Sequence, residues 1–238
     1  MNKINLENKV ALVTGSAKGL GKALALELAR SGAAVIINYL RSEKEAETTL
    51  KEAKELSKGS IKIRADVTDE KEVRMMFNEI REKFGRLNIL VNNVGDFIYK
   101  PISEVSSGDF RHVIENNLFS AFYCCKSALP VMKNYGRIIN IGCMGCDRVT
   151  IRKMTAPYYI AKTGLWMLTK SLALETKKGI TVNMVSPGVL ESSVVKPQAE
   201  IIRFSDISNA VMFLLSENSD KINGANIEAS GGSVLGAD

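Results

Sequence analysis

Short apolar runs ending in glycine, asparagine or a charged residue alternate along this chain with longer stretches whose apolar residues recur every three or four positions. Side chains repeat every two residues in a strand and every 3.6 in a helix, so the first kind predicts buried strands and the second amphipathic helices. Residues 9–14 open the series as a strand, which enters the turn Gly15-Ser16-Ala17-Lys18-Gly19-Leu20-Gly21 and then a helix over 22–31. Further strands are predicted at 33–39, 61–66, 88–93, 137–142, 181–186 and 225–229. Between them the periodicity predicts helices over 43–57, 70–84, 108–133, 158–177 and 206–216.

Strands separated by helices imply parallel pairing with right-handed crossovers. The reading is α/β: a doubly wound Rossmann fold, one domain over 1–238, with about seven parallel strands and helices on both faces. Residues 1–100 are expected to bind mainly a cofactor. Residues 101–238 are expected to supply the catalytic residues, a short substrate lid near 189–203 and the C-terminal strand. In such a sheet, ligands sit beyond the carboxyl ends of the strands.

Composition narrows the function classes. A hydrophobic share of 45% and a charged share of 24% are ordinary for a folded soluble domain. No apolar run approaches the roughly 20 residues of a membrane span, and the first seven residues lack the apolar stretch of a signal peptide, so a cytoplasmic location is expected. The net charge of +6 is spread among acidic residues, with no basic run carrying interleaved aromatics, which argues against nucleic-acid binding. Cysteines fall as Cys124-Cys125 and Cys143-Met144-Gly145-Cys146, beside a single histidine, His112. That is too few well-spaced ligands for structural zinc, so no metal and reduced thiols are expected.

The glycine turn can offer backbone N–H groups and a helix N-terminus to a pyrophosphate, with Ser16 and Leu20 among its contacts. The second strand ends Asn38-Tyr39-Leu40-Arg41, with no carboxylate for a ribose hydroxyl, and Lys18 lies inside the turn. Two cations favour a 2′-phosphate, hence NADPH over NADH. Tyr158 and Lys162 are four residues apart, on one face of a predicted helix. A phenol with an ammonium nearby suits proton exchange with a carbonyl or alcohol.

Together these motifs resemble the short-chain dehydrogenase/reductase family, in particular its 3-oxoacyl-[acyl-carrier-protein] reductase branch. The resemblance covers nearly the whole chain, from Thr14-Gly15-x-x-x-Gly19-x-Gly21 through Asp66-Val67, Asn92-Asn93-Val94-Gly95, Glu115-Asn116-Asn117-Leu118 and Tyr158-x-x-x-Lys162 to Ser186-Pro187-Gly188 and Gly231-Gly232. It implies that Tyr158 protonates the carbonyl oxygen and that Lys162 holds the nicotinamide ribose and lowers the tyrosine pKa. Asn117 would order a proton-relay water. Asp66 and Val67 would contact the adenine, Asn93 and Gly95 would line the cofactor, and Pro187, Gly188 and Val189 would lie against the nicotinamide. A homotetramer built on the 108–133 and 158–177 helices is also implied.

Two departures stand out. The family's serine, which donates to the substrate oxygen, reads here as Cys143 when counted from Asn140-Ile141-Gly142, and as Cys146 when counted back from Tyr158. A thiol is a weak donor, so Thr150, Thr155 or the substrate would have to supply the hydroxyl. The lid after Gly188 is short, with Ser192 where a threonine commonly meets the carboxamide. The expected function is NADPH-dependent reduction of a carbonyl, as in a 3-oxoacyl thioester or related small ketone. Alternatives are a pteridine- or imine-type reductase, or a weakly active NADP-binding protein on the same scaffold.

Overall fold

The computed structural model describes residues 4–133, 135–193 and 200–232. Its strands are β1 (Val10–Val13), β2 (Ala34–Tyr39), β3 (Ile61–Arg64), β4 (Ile89–Asn92), β5 (Gly136–Ile141), β6 (Ile180–Pro187) and β7 (Asn226–Ala229). All pair in parallel, in the order β3-β2-β1-β4-β5-β6-β7. The chain first winds outward from β1 to β3 and then returns to add β4 on the other side. That reversal opens a crevice beyond the carboxyl ends of β1 and β4.

Alternation along each strand decides which core it feeds. Ala11 and Val13 of β1, Val35 and Ile37 of β2, and Ile89 and Val91 of β4 face α1 (Gly19–Arg30), α2 (Glu43–Leu56) and α7 (Phe204–Leu215). Leu12, Ile36 and Leu90 point the other way, against α3 (Glu70–Phe84) and α5 (Ser120–Ala128). Fully buried strands of this kind need apolar residues on both faces, which is why they read as unbroken runs.

Helix boundaries follow local chemistry. Asp69 caps α3 by accepting from the N–H groups of Lys71 and Glu72, and Gly85, with φ of 66°, ends it in the left-handed conformation. A capping box of Ser106 and Asp109 starts α4 (Ser107–Ile114). The single helix expected over 108–133 is instead α4, a π-helical turn over Glu115–Phe119, and α5, which ends at Ala128 ahead of Pro130. Helix α1 starts at Gly19, earlier than the apolar pattern suggested, because the last glycines of the turn already form its first turn. Helix α6 runs Ala156–Glu175 with a proline in its first turn, where the missing N–H leaves no bond broken. Of the expected lid, 194–199 lies outside the described residues; its two sides meet at a bridge between Leu190 and Ile202.

Candidate active site

The turn between β1 and α1 is braced by side chains from its neighbours. Asn38 is buried in β2; its Oδ1 accepts from Gly15 N at 3.1 Å, and its Nδ2 donates to Ala65 O at 3.1 Å. Ser16 Oγ donates to Val13 O at 2.7 Å and accepts from Asn38 N at 3.2 Å. Asn93 Nδ2 donates to Thr14 O at 3.0 Å and Gly15 O at 3.3 Å. Ser16, Asn38 and Asn93, read from sequence as cofactor contacts, therefore have their side chains committed to the shape of the turn. Gly15 has φ of 61° and Gly19 φ of 58°, conformations that cost other residues strain. Gly21 is required for another reason: a Cβ there would lie 2.4 Å from Gly15 O.

Beyond the carboxyl ends of the strands lies a cavity of about 480 Å³. One end is lined by Lys18, Leu20, Gly21, Asn93 and Gly95, and the other by Tyr158, Lys162, Asn117, Cys143, Pro187, Gly188, Val189 and Ser192. Gly15, Ser16, Gly19, Asn38, Tyr39, Arg41, Asp66 and Val67 do not line it. Arg41 is exposed past the end of β2, whereas Tyr39 is buried with its hydroxyl donating to Glu43 at 3.3 Å. Asp66 Oδ1 accepts from the N–H and hydroxyl of Thr68, and Val67 is buried.

Lys162 is only 3% exposed and donates from Nζ to Ile141 O at 2.7 Å. Burial depresses its pKa to about 8. Nζ lies 5.7 Å from the centroid of the Tyr158 ring, which packs edge-on against Tyr159. The tyrosine pKa is raised well above its ordinary value, first by burial and then by Cys143.

Asn117, in the π-helical turn, is 1% exposed. Its Nδ2 donates to Asp96 O at 2.7 Å and to Val113 O at 2.9 Å, while Oδ1 is buried without a partner. A Cβ on Gly95 would meet Asn117 Oδ1 at 2.5 Å and Lys162 Nζ at 3.3 Å, so only glycine allows both groups to face this space. An orphaned acceptor beside a buried ammonium is an arrangement suited to holding a water or a ligand hydroxyl.

Between the two cysteines, the fold distinguishes clearly. Cys143 lines the cavity at 6% exposure, whereas Cys146 is fully buried behind it, with Sγ 3.6 Å from Ser186 Oγ. Contact with Cys146, together with burial, holds the Cys143 thiol far above its ordinary pKa; the same contact brings Cys146 down to about 6. The expected substitutes for the missing serine are spent: Thr155 Oγ1 donates to Arg152 O at 2.9 Å, and Thr150 Oγ1 to Gly145 O at 2.8 Å. Among the described residues, no group of three or more His, Cys, Asp or Glu side chains could hold a metal ion, and no helix is long and apolar enough to cross a membrane. The sequence reading missed Asp96, Phe97, Tyr99, Met144 and Arg152, which also line the cavity; they sit in segments without periodicity.

Residues 9–201 match the short chain dehydrogenase family. The chain is 36% identical over 248 residues to the 3-oxoacyl-[acyl-carrier-protein] reductase FabG of Staphylococcus aureus, covering 95% of this chain and 98% of that protein. It is 32% identical to the hydroxynaphthalene reductase-like protein Arp2 of Metarhizium anisopliae, covering 97% and 96%. A short chain dehydrogenase from Burkholderia cenocepacia, solved in complex with NADP, superposes with a TM-score of 0.87 at 30% identity, covering 96% of this chain and 98% of the other. The chain thus belongs to the short chain dehydrogenase family and is a nicotinamide-dependent oxidoreductase.

Proposed function

We propose that this protein reduces a carbonyl compound with NADPH, Tyr158 delivering the proton to the carbonyl oxygen. The observation that carries the reading is the meeting of Tyr158, Lys162 and the unpartnered Oδ1 of Asn117 on the cavity that begins at the glycine turn. NADPH, when bound, supplies the hydride to the carbonyl carbon. The close approaches at Gly21 and Gly95, where a Cβ would fill the space, fit a dinucleotide, with Lys18, Leu20 and Gly188 among the residues that would hold it. Tyr158 is fully protonated near neutral pH because burial raises its pKa, so it enters the reaction as an acid. As its proton leaves, the Lys162 ammonium stabilises the phenolate. Asn117 Oδ1 holds the water that returns the proton.

Kinship with 3-oxoacyl-[acyl-carrier-protein] reductase supports a 3-oxoacyl thioester or related small ketone as the acceptor. The short lid leaves a pteridine or imine as the alternative acceptor. A weakly active NADP-binding protein is favoured by one specific observation: Cys143 stands on the cavity where a serine would share the substrate oxygen, and the hydroxyls of Thr150 and Thr155 are committed elsewhere. We also infer a cytoplasmic homotetramer, its helices meeting through exposed Phe119 and Phe122 of the α4–α5 region and Ile160 and Met167 of α6.

The test is NADPH oxidation across acetoacetyl thioesters, diketones, quinones and dihydropterins. Turnover with one of these is expected to fall about 100- to 10,000-fold in Tyr158→Phe, with NADPH affinity unchanged. NADPH binding by the wild type without turnover across the panel would support the binding-protein reading.

A further inference from the structure

We propose that Arg152 anchors a carboxylate on the substrate, so that the preferred acceptors are carbonyl compounds carrying a free carboxylate apart from the carbonyl that is reduced. This rests on the reductase reading above and names the substrate class it left open. Arg152 lines the cavity together with Tyr158 and Tyr159 and is partly buried. Among the described residues, its guanidinium has neither an ion pair nor a hydrogen bond. Asp96, on the same cavity, is 2.8 Å from His112 Nε2, and Glu228, whose charge also reaches Tyr159, accepts from Arg148 with both oxygens, at 3.1 and 2.8 Å.

An arginine that lines a cavity with no ion-pair partner among the described residues offers its charge to an anionic ligand. Arg152 lies near enough to the cavity-lining Tyr159 for its charge to be felt at that phenol. The neighbouring surface is aromatic: Phe97 and Tyr99 line the cavity and are exposed. A guanidinium fork beside aromatic planes matches a carboxylate attached to an apolar body, since two parallel N–H groups meet two oxygens. The cation at the glycine-turn end is Lys18, the N-cap residue of α1, which leaves Arg152, on the segment leading into α6, for the substrate rather than the pyrophosphate.

Matched pairs test this: 4-acetylbenzoate against its methyl ester, and 4-oxopentanoate against its methyl ester, each with NADPH. The wild type is expected to favour the acids about tenfold or more in kcat/KM, as a charge-assisted pair supplies. Arg152→Gln should bring the ratio to about one by lowering the acid values alone, and Arg152→Lys should retain part of the preference. Among the described residues, Arg152 makes its hydrogen bonds through its backbone carbonyl, accepting from Thr155 N and Oγ1, so these variants keep those contacts. A wild-type ratio near one, or an equal fall for acid and ester in Arg152→Gln, would overturn the proposal. A second readout is independent of turnover: with NADP present, 4-acetylbenzoate should raise the Tm of the wild type but not of Arg152→Gln, and no shift in the wild type would count against the carboxylate site. A shift without turnover of any ketone would uphold the site while sinking the reductase reading.

Discussion

The two ends of the cavity are built on opposite terms. At the glycine turn, Ser16, Asn38 and Asn93 brace the backbone from three sides, with Ser16 Oγ, both side-chain polar atoms of Asn38, and Asn93 Nδ2 all hydrogen-bonded within the fold. At the other end, residues 143–155 are held at scattered points by different elements: Met144 N donates to Pro187 O at 3.0 Å, Glu228 accepts from Gly145 N at 2.9 Å and from Arg148, Thr163 Oγ1 donates to Cys146 O at 3.1 Å, and Lys100 N donates to Met154 O at 2.8 Å. That segment also holds Val149 and Met154 at φ of 55° and 66°, an unfavourable conformation for a β-branched residue such as valine. A fixed shape is required to bind the same dinucleotide phosphates in every turnover. If residues 143–155 choose among substrates, as proposed above, they are free to carry strain and unpaired groups, and the segment holds Cys143 and Arg152.

The largest effect belongs to the rigid end. Gly21→Ala drives a Cβ to 2.4 Å from Gly15 O and 2.9 Å from Ser16 Cα, and backbone cannot yield as a side chain would. A loss of NADPH affinity of about 100-fold or more is expected by titration of nicotinamide fluorescence, because the turn must open where the pyrophosphate approaches. Unchanged affinity would show that the bracing by Asn38 and Asn93 is not what shapes the phosphate site.

Next in size is the response to pH. Lys162, depressed to about 8 by burial, is charged below that value and neutral above it. If its ammonium stabilises the phenolate, kcat/KM should fall about tenfold per pH unit above roughly 8. Stability should move the other way. An unfolded lysine titrates near 10.4, so between about 8 and 10.4 the unfolded chain binds more protons, and this residue's contribution favours folding as pH rises. A descending limb only near pH 10 would mean that Lys162 is not the group whose charge matters.

A smaller change, and an increase, is expected from Cys143→Ser. The thiol stays protonated at neutral pH and donates weakly; a hydroxyl at the same cavity position donates well. Turnover should rise about three- to tenfold without a change in NADPH affinity, less than the 100-fold or more associated with removing a strong oxyanion donor outright. A slower Cys143→Ser enzyme would show that the sulfur matters for packing against Cys146 rather than for holding the substrate oxygen.

Much of this contrast could be read in the chain beforehand, and the reasons are specific. Runs such as Val35-Ile36-Ile37 announce buried strands, and the four-residue spacing of Tyr158 and Lys162 puts both on the cavity side of α6. Asn38 and Ser16 were legible as polar residues at the right place, but sequence does not say whether such a group faces a ligand or its own backbone. The π-helical turn was invisible because Glu115–Phe119 keeps the spacing of an α-helix; it forms where the Asn117 side chain itself donates to Val113 O. Arg152 escaped notice because residues 150–155 have no periodicity to give a side chain a direction.

The smallest effect tests whether the rigid end also chooses the dinucleotide. Arg41 is exposed past β2, and Lys18 caps α1 at the cavity's edge. Exposed charges are screened by salt and individually contribute little, so Arg41→Ala should narrow the NADPH-over-NADH ratio only about three- to tenfold at low ionic strength, and less in 0.5 M salt. NADH affinity should stay constant, since only NADPH carries the 2′-phosphate that Arg41 would meet. Should Arg41→Ala leave the ratio alone while Lys18→Ala narrows it, the phosphate lies over the start of α1. Discrimination would then be part of the braced turn itself. A ratio indifferent to both substitutions would leave the absence of a carboxylate at the end of β2 as the source of any tolerance for NADPH, a permissive site rather than a selective one.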